Sequence, residues 1–195
     1  ESQAVKIMAQ RDEIIKRGLK IKWTSFARVD TVSVKVLARM REAGCHTVSF
    51  GVESGNSDIL KRIKKGITLE QVTDAVKMCN DAGVSPHASF ILGLPGESPE
   101  TLKETVEFGN KLKDMGVSHG FHLLAPFPGT EVREEKEKFD IRFLSDDWRD
   151  YHANRAIVET SSVTRKMLDD IVIEWENKFN GWLGYIRERI NSGEA

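Results

Sequence analysis

The chain has 195 residues, 39% of them hydrophobic, and its 29 Lys and Arg nearly balance 30 Asp and Glu, for a formal charge of -1. That composition excludes general disorder, which needs few apolar residues and a large net charge. It also argues against a nucleic-acid module, which carries a basic excess. The length fits one domain, or one domain with an appendage.

A βα rhythm runs through the first two-thirds. A helix is predicted over about Gln3 to Arg17, then a strand near Lys20 to Phe26 and a helix near Val32 to Ala43. The second strand is His46 to Val52, and Asn56 to Lys65 reads as a short helix. Its cations Lys61, Arg62, Lys64 and Lys65 precede Gly66 and complement the helix dipole. Thr68 to Ala82 is a longer helix, with Thr68 and Gln71 in a capping-box pattern. The third strand is about His87 to Leu92. Ser98, Pro99 and Glu100 open the next helix as N-cap, first-turn proline and favourably placed acid. The fourth strand is about His119 to Leu124. Gly18, Gly44, Gly83 and Gly116 each sit where a glycine ends a helix. Four such junctions in series predict an α/β fold with a largely parallel sheet.

After residue 131 the character changes. Arg133 to Lys138 is densely charged, and Asp146 to Tyr151 mixes acids with Trp148 and Tyr151. A long amphipathic helix closes the chain. Leu168, Ile171, Val172, Trp175, Phe179, Trp182, Leu183, Ile186 and Ile190 form its stripe, and Gly181 and Gly184 mark a bend. The division expected is a truncated βα barrel over 1–131 and a charged linker with a C-terminal helical extension over 132–195. Cys45 and Cys79 lie far apart and form no disulfide framework, in keeping with a reducing, cytoplasmic setting. No apolar run approaches the length of a membrane span, so no membrane partner is expected.

In parallel βα folds, ligands meet the carboxyl ends of the strands. Those ends read Thr24 to Asp30, then Gly51-Val52-Glu53-Ser54-Gly55, then Phe90 to Glu97, then Leu124 to Thr130. Glycines there admit a ligand to the backbone, and Glu53 sets a carboxylate at the mouth. With Ala43-Gly44, Leu60, Lys65-Gly66 and Thr68 between them, the stretches GVESGN, FILGLPGES and PFPGT together resemble the radical S-adenosylmethionine (SAM) superfamily. The likeness covers roughly residues 1 to 130 and is nearest to the cobalamin-associated and methylthiotransferase-like branch, of Fe-S oxidoreductase type.

That resemblance implies a partial TIM-like barrel: the last four strands of a (βα)6 radical SAM barrel, with a C-terminal helical tail. It implies an enzyme in which a 4Fe-4S cluster reduces bound SAM to methionine and a 5′-deoxyadenosyl radical. By the same resemblance Glu53 and Ser54 would meet the ribose or amino-acid part of SAM. Ser25 and Arg28 would lie near its polar end, and Ile91, Gly93 and Leu94 would line the adenine. The resemblance further implies a small-molecule or cofactor-precursor substrate, with cobalamin as the second cofactor in the cobalamin-associated members of this branch. Three of these assignments have bland alternatives. Glu53 could cap the helix near Asn56, Arg28 could pair with Asp30, and Gly93 to Gly96 could be turn chemistry.

The family's Cys-x-x-x-Cys-x-x-Cys motif, which supplies the cluster thiolates, is missing from the sequence. Cys45 and Cys79 read as small apolar residues. With Glu1 rather than Met in first place, the expectation is a carboxy-terminal piece of a larger enzyme, inactive alone. Its partner would be the missing N-terminal half, or a second copy across the exposed strand edge. Two other readings compete: a cysteine-less binding or interaction module, and an ordinary TIM-barrel aldolase or isomerase with Glu53 as base. No lysine is read at a strand mouth, which counts against a Schiff base. His119 and His122, an odd step apart on a strand, fall on opposite faces and share no metal.

Overall fold

A computed structural model describes residues 12–179. Helix α1, described over residues 12–16, leads to strand β1 (Trp23–Ala27), a 3-10 turn (Val29–Thr31) and α2 (Val34–Glu42). Next come β2 (Cys45–Glu53), α3 (Ser57–Arg62), α4 (Leu69–Asp81), β3 (Ser85–Leu92), α5 (Pro99–Asp114) and β4 (Ser118–Leu123). Residues 3–11 of the expected first helix, and the tail stripe from Gly181 to Ile190, lie outside the described residues.

The helix starts follow local chemistry. The Thr68 hydroxyl accepts from the Gln71 amide at 3.2 Å while Gln71 Oε1 accepts from the Thr68 amide at 2.9 Å, closing the capping box. Ser98 and Thr101 close a second capping box at α5, and Asn56 Oδ1 caps α3 by accepting from the Asp58 and Ile59 amides.

The four strands form one parallel sheet in the order β1-β2-β3-β4, and the barrel is not closed. Only one face is apolar. Val48, Phe50 and Val52 of β2, Ala88, Phe90 and Leu92 of β3, and Phe121 and Leu123 of β4 are buried beneath the helices. Phe90 anchors this layer, with ring centroids 5.5 Å from Phe121 and 6.3 Å from Phe108. Residues of the opposite parity are partly or fully exposed. A parallel sheet normally has both faces covered, so a second face left open among the described residues is the defining feature of this fold.

Beyond β4 the chain forms α6 (Glu131–Glu134) and an antiparallel pair, β5 (Arg142–Phe143) with β6 (Val158–Glu159). The sequence does not foretell that two-residue ladder. Ile141, Tyr151, Ile157 and Val158 build a second small core with Leu124 and Ala125. The last helix, α7 (Arg165–Phe179), inserts Leu168 into the main core and sets Trp175 against β4. Among the described residues no helix is long and apolar enough to cross a membrane.

Candidate functional site

The open face carries its own order. Phe26, Ser49, His87 and Ser118 lie in one row across the four strands. Gly51, Ser89 and Gly120 form the next row toward the carboxyl ends, and Ile91 stands beside His122 above them. His87 Nδ1 lies 2.9 Å from Ser118 Oγ, and burial, aided by the nearby His122, lowers the His87 pKa. The floor is polar, with small side chains along its middle row.

At the mouth, Glu53 ends β2 with φ 72, a left-handed conformation unusual for a side-chain-bearing residue. Its carboxylate folds back over Gly51, where an added Cβ would stand 2.5 Å from Glu53 Oε1 and 3.2 Å from Lys65 Nζ. Lys65 Nζ donates to Glu53 Oε1 at 2.7 Å, with both side chains under one-fifth exposed. This corrects the expectation that no lysine reaches a strand mouth. α3 stops at Arg62, Lys64 takes φ 56, and the chain turns Lys65 back over the sheet. Asn56 caps α3, which leaves Glu53 with the lysine instead.

The other expected residues divide. Arg28 holds Asp30 by two bonds of 2.9 and 3.0 Å and donates to the Lys65 carbonyl at 3.1 Å, so it stands beside the Glu53–Lys65 pair. Its hydrogen bonds with Asp30 raise its own pKa and lower that of Asp30. Ser25 shares the helix-covered parity of β1 with Trp23 and Ala27, and its hydroxyl donates to the Phe26 carbonyl. Ser54 is fully buried: its oxygen lies 3.2 Å from Thr105 Oγ1 and accepts from the Asn56 amide. With Gly55, whose amide donates to Thr105 at 3.0 Å, it locks the end of β2 onto α5. Ile91 faces the open side, while Gly93 and Leu94 form the loop above β3.

That loop is organised by Glu97, only 2% exposed. Its Oε2 accepts from the Gly93 and Leu94 amides at 2.7 and 2.9 Å. Its Oε1 has no hydrogen-bond partner among the described residues, and burial pushes the carboxyl pKa up to about 7. A glutamate closing a Gly-Leu-Pro-Gly loop was a usable signal for this role; for Lys65 the local sequence offers none.

His119 and His122 fall on opposite faces as expected. His119 is buried at 8% exposure, accepts from Trp175 Nε1 at 3.2 Å, and has its pKa lowered to about 4, first by burial. Cys45 and Cys79 are free and buried, with desolvation raising both thiols, that of Cys79 to about 12. Such thiols do not supply cluster ligands. No group of His, Cys, Asp and Glu able to hold a metal occurs among the described residues. A 4Fe-4S cluster therefore does not fit the residues present. Glu53, Lys65 and Arg28 stand together at one mouth, with Ile91 on the adjoining open face of β3.

The sequence matches the Radical SAM superfamily over residues 3–109, and the chain belongs to that superfamily. It is 36% identical over 159 residues to an uncharacterized methyltransferase of Pyrococcus horikoshii, covering 82% of this chain and 34% of that protein. It is 29% identical over 172 residues to the anaerobic magnesium-protoporphyrin IX monomethyl ester cyclase of Rubrivivax gelatinosus, covering 86% and 30%. The fold is similar to the radical S-adenosylmethionine methyltransferase from Kitasatospora setae solved with cobalamin and a 4Fe-4S cluster bound. There the TM-score is 0.57 and the identity 22%, over 74% of this chain and 28% of that one. Coproporphyrinogen III oxidase from Escherichia coli gives a TM-score of 0.61 at 16% identity, over 88% and 37%. The chain spans about a third of the length of the curated relatives it matches.

Proposed function

We propose that this chain forms the SAM-binding part of a larger radical SAM enzyme of the methyltransferase type. The observation that carries the reading is the Glu53–Lys65 pair held over Gly51 at the carboxyl end of the open face. Glu53 would accept from the ammonium or a ribose hydroxyl of SAM, Arg28 and Lys65 would neutralise its carboxylate, and Ile91 would pack against the adenine. When bound, SAM supplies either a transferable methyl group or a sulfonium whose reduction starts radical chemistry. The chain's own work is to orient that molecule and to present the polar floor of His87, Ser89 and His122 to a small-molecule substrate.

In this reading the cluster ligands, and any cobalamin contacts, belong to parts of the protein outside these 195 residues. Two features support it: the short span relative to the relatives, and Phe26, 81% exposed on the open face of the edge strand β1. That ring and a strand edge left unpaired among the described residues await either the remainder of the protein or a second copy. The isolated chain is then catalytically inactive, and the division at 131–132 and a reducing cytoplasmic setting form part of the same proposal.

The test is isothermal titration of SAM into the chain, wild type and Glu53→Gln. Saturable binding weakened about tenfold by the substitution is the expected result. Equal affinities would overturn the assignment of Glu53. A separate anaerobic reconstitution with iron and sulfide should leave this chain without a stoichiometric cluster.

A further inference from the structure

The segment after β4 holds a second constellation, unrelated to Glu53. Arg133, at the third position of α6, is half-buried. Its guanidinium carbon lies 4.9 Å from the ring centre of Trp148, 5.0 Å from Phe143 and 5.6 Å from Tyr151. It donates to the Pro126 carbonyl at 3.1 Å and to the Tyr151 hydroxyl at 2.9 Å. Among the described residues it has no carboxylate partner. The acids around it are otherwise engaged. Asp147 pairs with Arg149, Asp150 with Arg155, Glu131 with Lys64 and Lys138, and Glu134 accepts from the Gly129 amide. A partly desolvated guanidinium held by π faces and neutral oxygens is suited to receive an external carboxylate.

Beside it stands an aromatic shelf. Trp148 is 54% exposed and Phe127 51% exposed, and both pack on the buried Tyr151, at ring separations of 4.7 and 6.1 Å. Single exposed aromatics are ordinary, but two sharing one buried ring beside an uncompensated cation are not. The shelf also has a meaningful position. The loop from Pro126 leaves the carboxyl end of β4, and Glu131 at its far end reaches Lys64 at 3.3 Å. Lys64 adjoins Lys65, which lies over the open face. The segment that carries the shelf is therefore tied, through Glu131 and Lys64, to the turn that carries Lys65.

We propose that Phe127, Trp148 and Arg133 form the subsite for a small substrate that combines a planar conjugated ring with a carboxylate. The ring stacks on the exposed aromatics, and Arg133 takes the carboxylate. The catalytic meaning of this subsite rests on the SAM-binding reading above, but its occupancy does not.

The experiment measures binding of 1-pyrenebutyrate to the 195-residue chain by equilibrium dialysis, without SAM or cluster, so that its failure leaves the SAM titration to stand or fall alone. The neutral 1-pyrenebutanol serves as the uncharged control, and decanoate and adenosine monophosphate as competitors. Saturable binding of the acid should weaken about tenfold in Trp148→Ala and in Arg133→Met. Arg133→Met should leave the alcohol unaffected. Phe127→Ala, an exposed site on a separate loop, gives a second reading should Arg133→Met disturb the small core; unchanged melting curves by circular dichroism establish the fold of each variant. Equal binding of acid and alcohol, or indifference to Trp148→Ala and Phe127→Ala, overturns the proposal. So does displacement of 1-pyrenebutyrate by decanoate or adenosine monophosphate at concentrations at or below its own Kd.

Discussion

Glu97 offers the sharpest quantitative test of the loop above β3. The carboxyl is 2% exposed, and its pKa rises from the ordinary 4.5 to about 7. Burial is the main cause, opposed by the Gly93 and Leu94 amides. As pH rises, the unfolded chain releases this proton first. The native state is therefore favoured fully below about pH 4.5 and loses that advantage progressively until about pH 7. The gap corresponds to about 3 kcal/mol. Glu97→Gln keeps an oxygen for the two amides and cannot ionise. Its stability relative to wild type should rise by about 3 kcal/mol between pH 4.5 and pH 7.5, whatever constant offset the new amide introduces. Urea unfolding at half-unit pH intervals gives the difference curve, from which every other titrating group cancels. A flat curve, or one complete by pH 5, would show that Glu97 ionises as an ordinary surface carboxylate and would refute the desolvation argument. Glu97→Ala removes the acceptor altogether and should destabilise at both ends of the range, by about 2–4 kcal/mol.

Acidification should act oppositely through His119: its stabilising neutral form is present above pH 6.5 and lost as pH falls toward about 4. Since a charged imidazole cannot accept from Trp175, the acid-side loss, about 3 kcal/mol, should be accompanied by a shift in Trp175 emission and should vanish in His119→Phe. Gly51→Ala places a methyl against Glu53 and Lys65; we expect a cost of about 1–3 kcal/mol in urea unfolding together with weaker SAM binding. Phe90→Ala, which empties the centre of the helix-covered face, should cost about 3–5 kcal/mol by the same assay without changing the pH difference curve of Glu97.

Much of this architecture is legible in the residues because the signals are local. The capping pairs Thr68–Gln71 and Ser98–Thr101 act within one turn, and the alternation through β2 and β3 sorts covered from open positions two residues at a time. Strand mouths follow from parallel topology, which is why Glu53 could be picked out, while Ile91 and Gly93 could be picked out through the family resemblance. The partners of those residues could not. Lys65 reads as a helix-end cation, and only the left-handed turn at Lys64 brings it 2.7 Å from a carboxylate twelve positions earlier. Ser54 sits beside Glu53 in sequence, yet a left-handed residue separates their directions, so one faces the mouth and the other is sealed against Thr105. The small β5–β6 ladder escapes notice because two-residue strands carry no periodicity.

The two faces of the sheet explain why the chemistry collects where it does. Stability resides on the helix-covered side, where Phe50, Phe90 and Leu92 are fully enclosed and substitutions are costly. The open side contributes little to that core, so its positions are free to carry Ser, His and Gly, which a two-sided parallel sheet would exclude. Such a face gains function only if its mouth is held rigidly, and here every holding contact originates on the covered side or at the rim. Thr105 of α5 grips Ser54 and Gly55, Glu97 grips the Gly93 loop, and Lys64 ties the β4 loop back to the turn that carries Lys65. Breaking one tie at a time should therefore disturb ligand binding more than it disturbs the fold. Thr105→Val is the cleanest case: it preserves shape beneath the sheet while leaving the Gly55 amide without its acceptor, at a cost of about 1–3 kcal/mol. If SAM affinity falls in that variant while urea unfolding shows only this modest loss, the mouth is positioned from behind the sheet. Unchanged affinity would mean that Glu53 and Lys65 hold their geometry without help from α5.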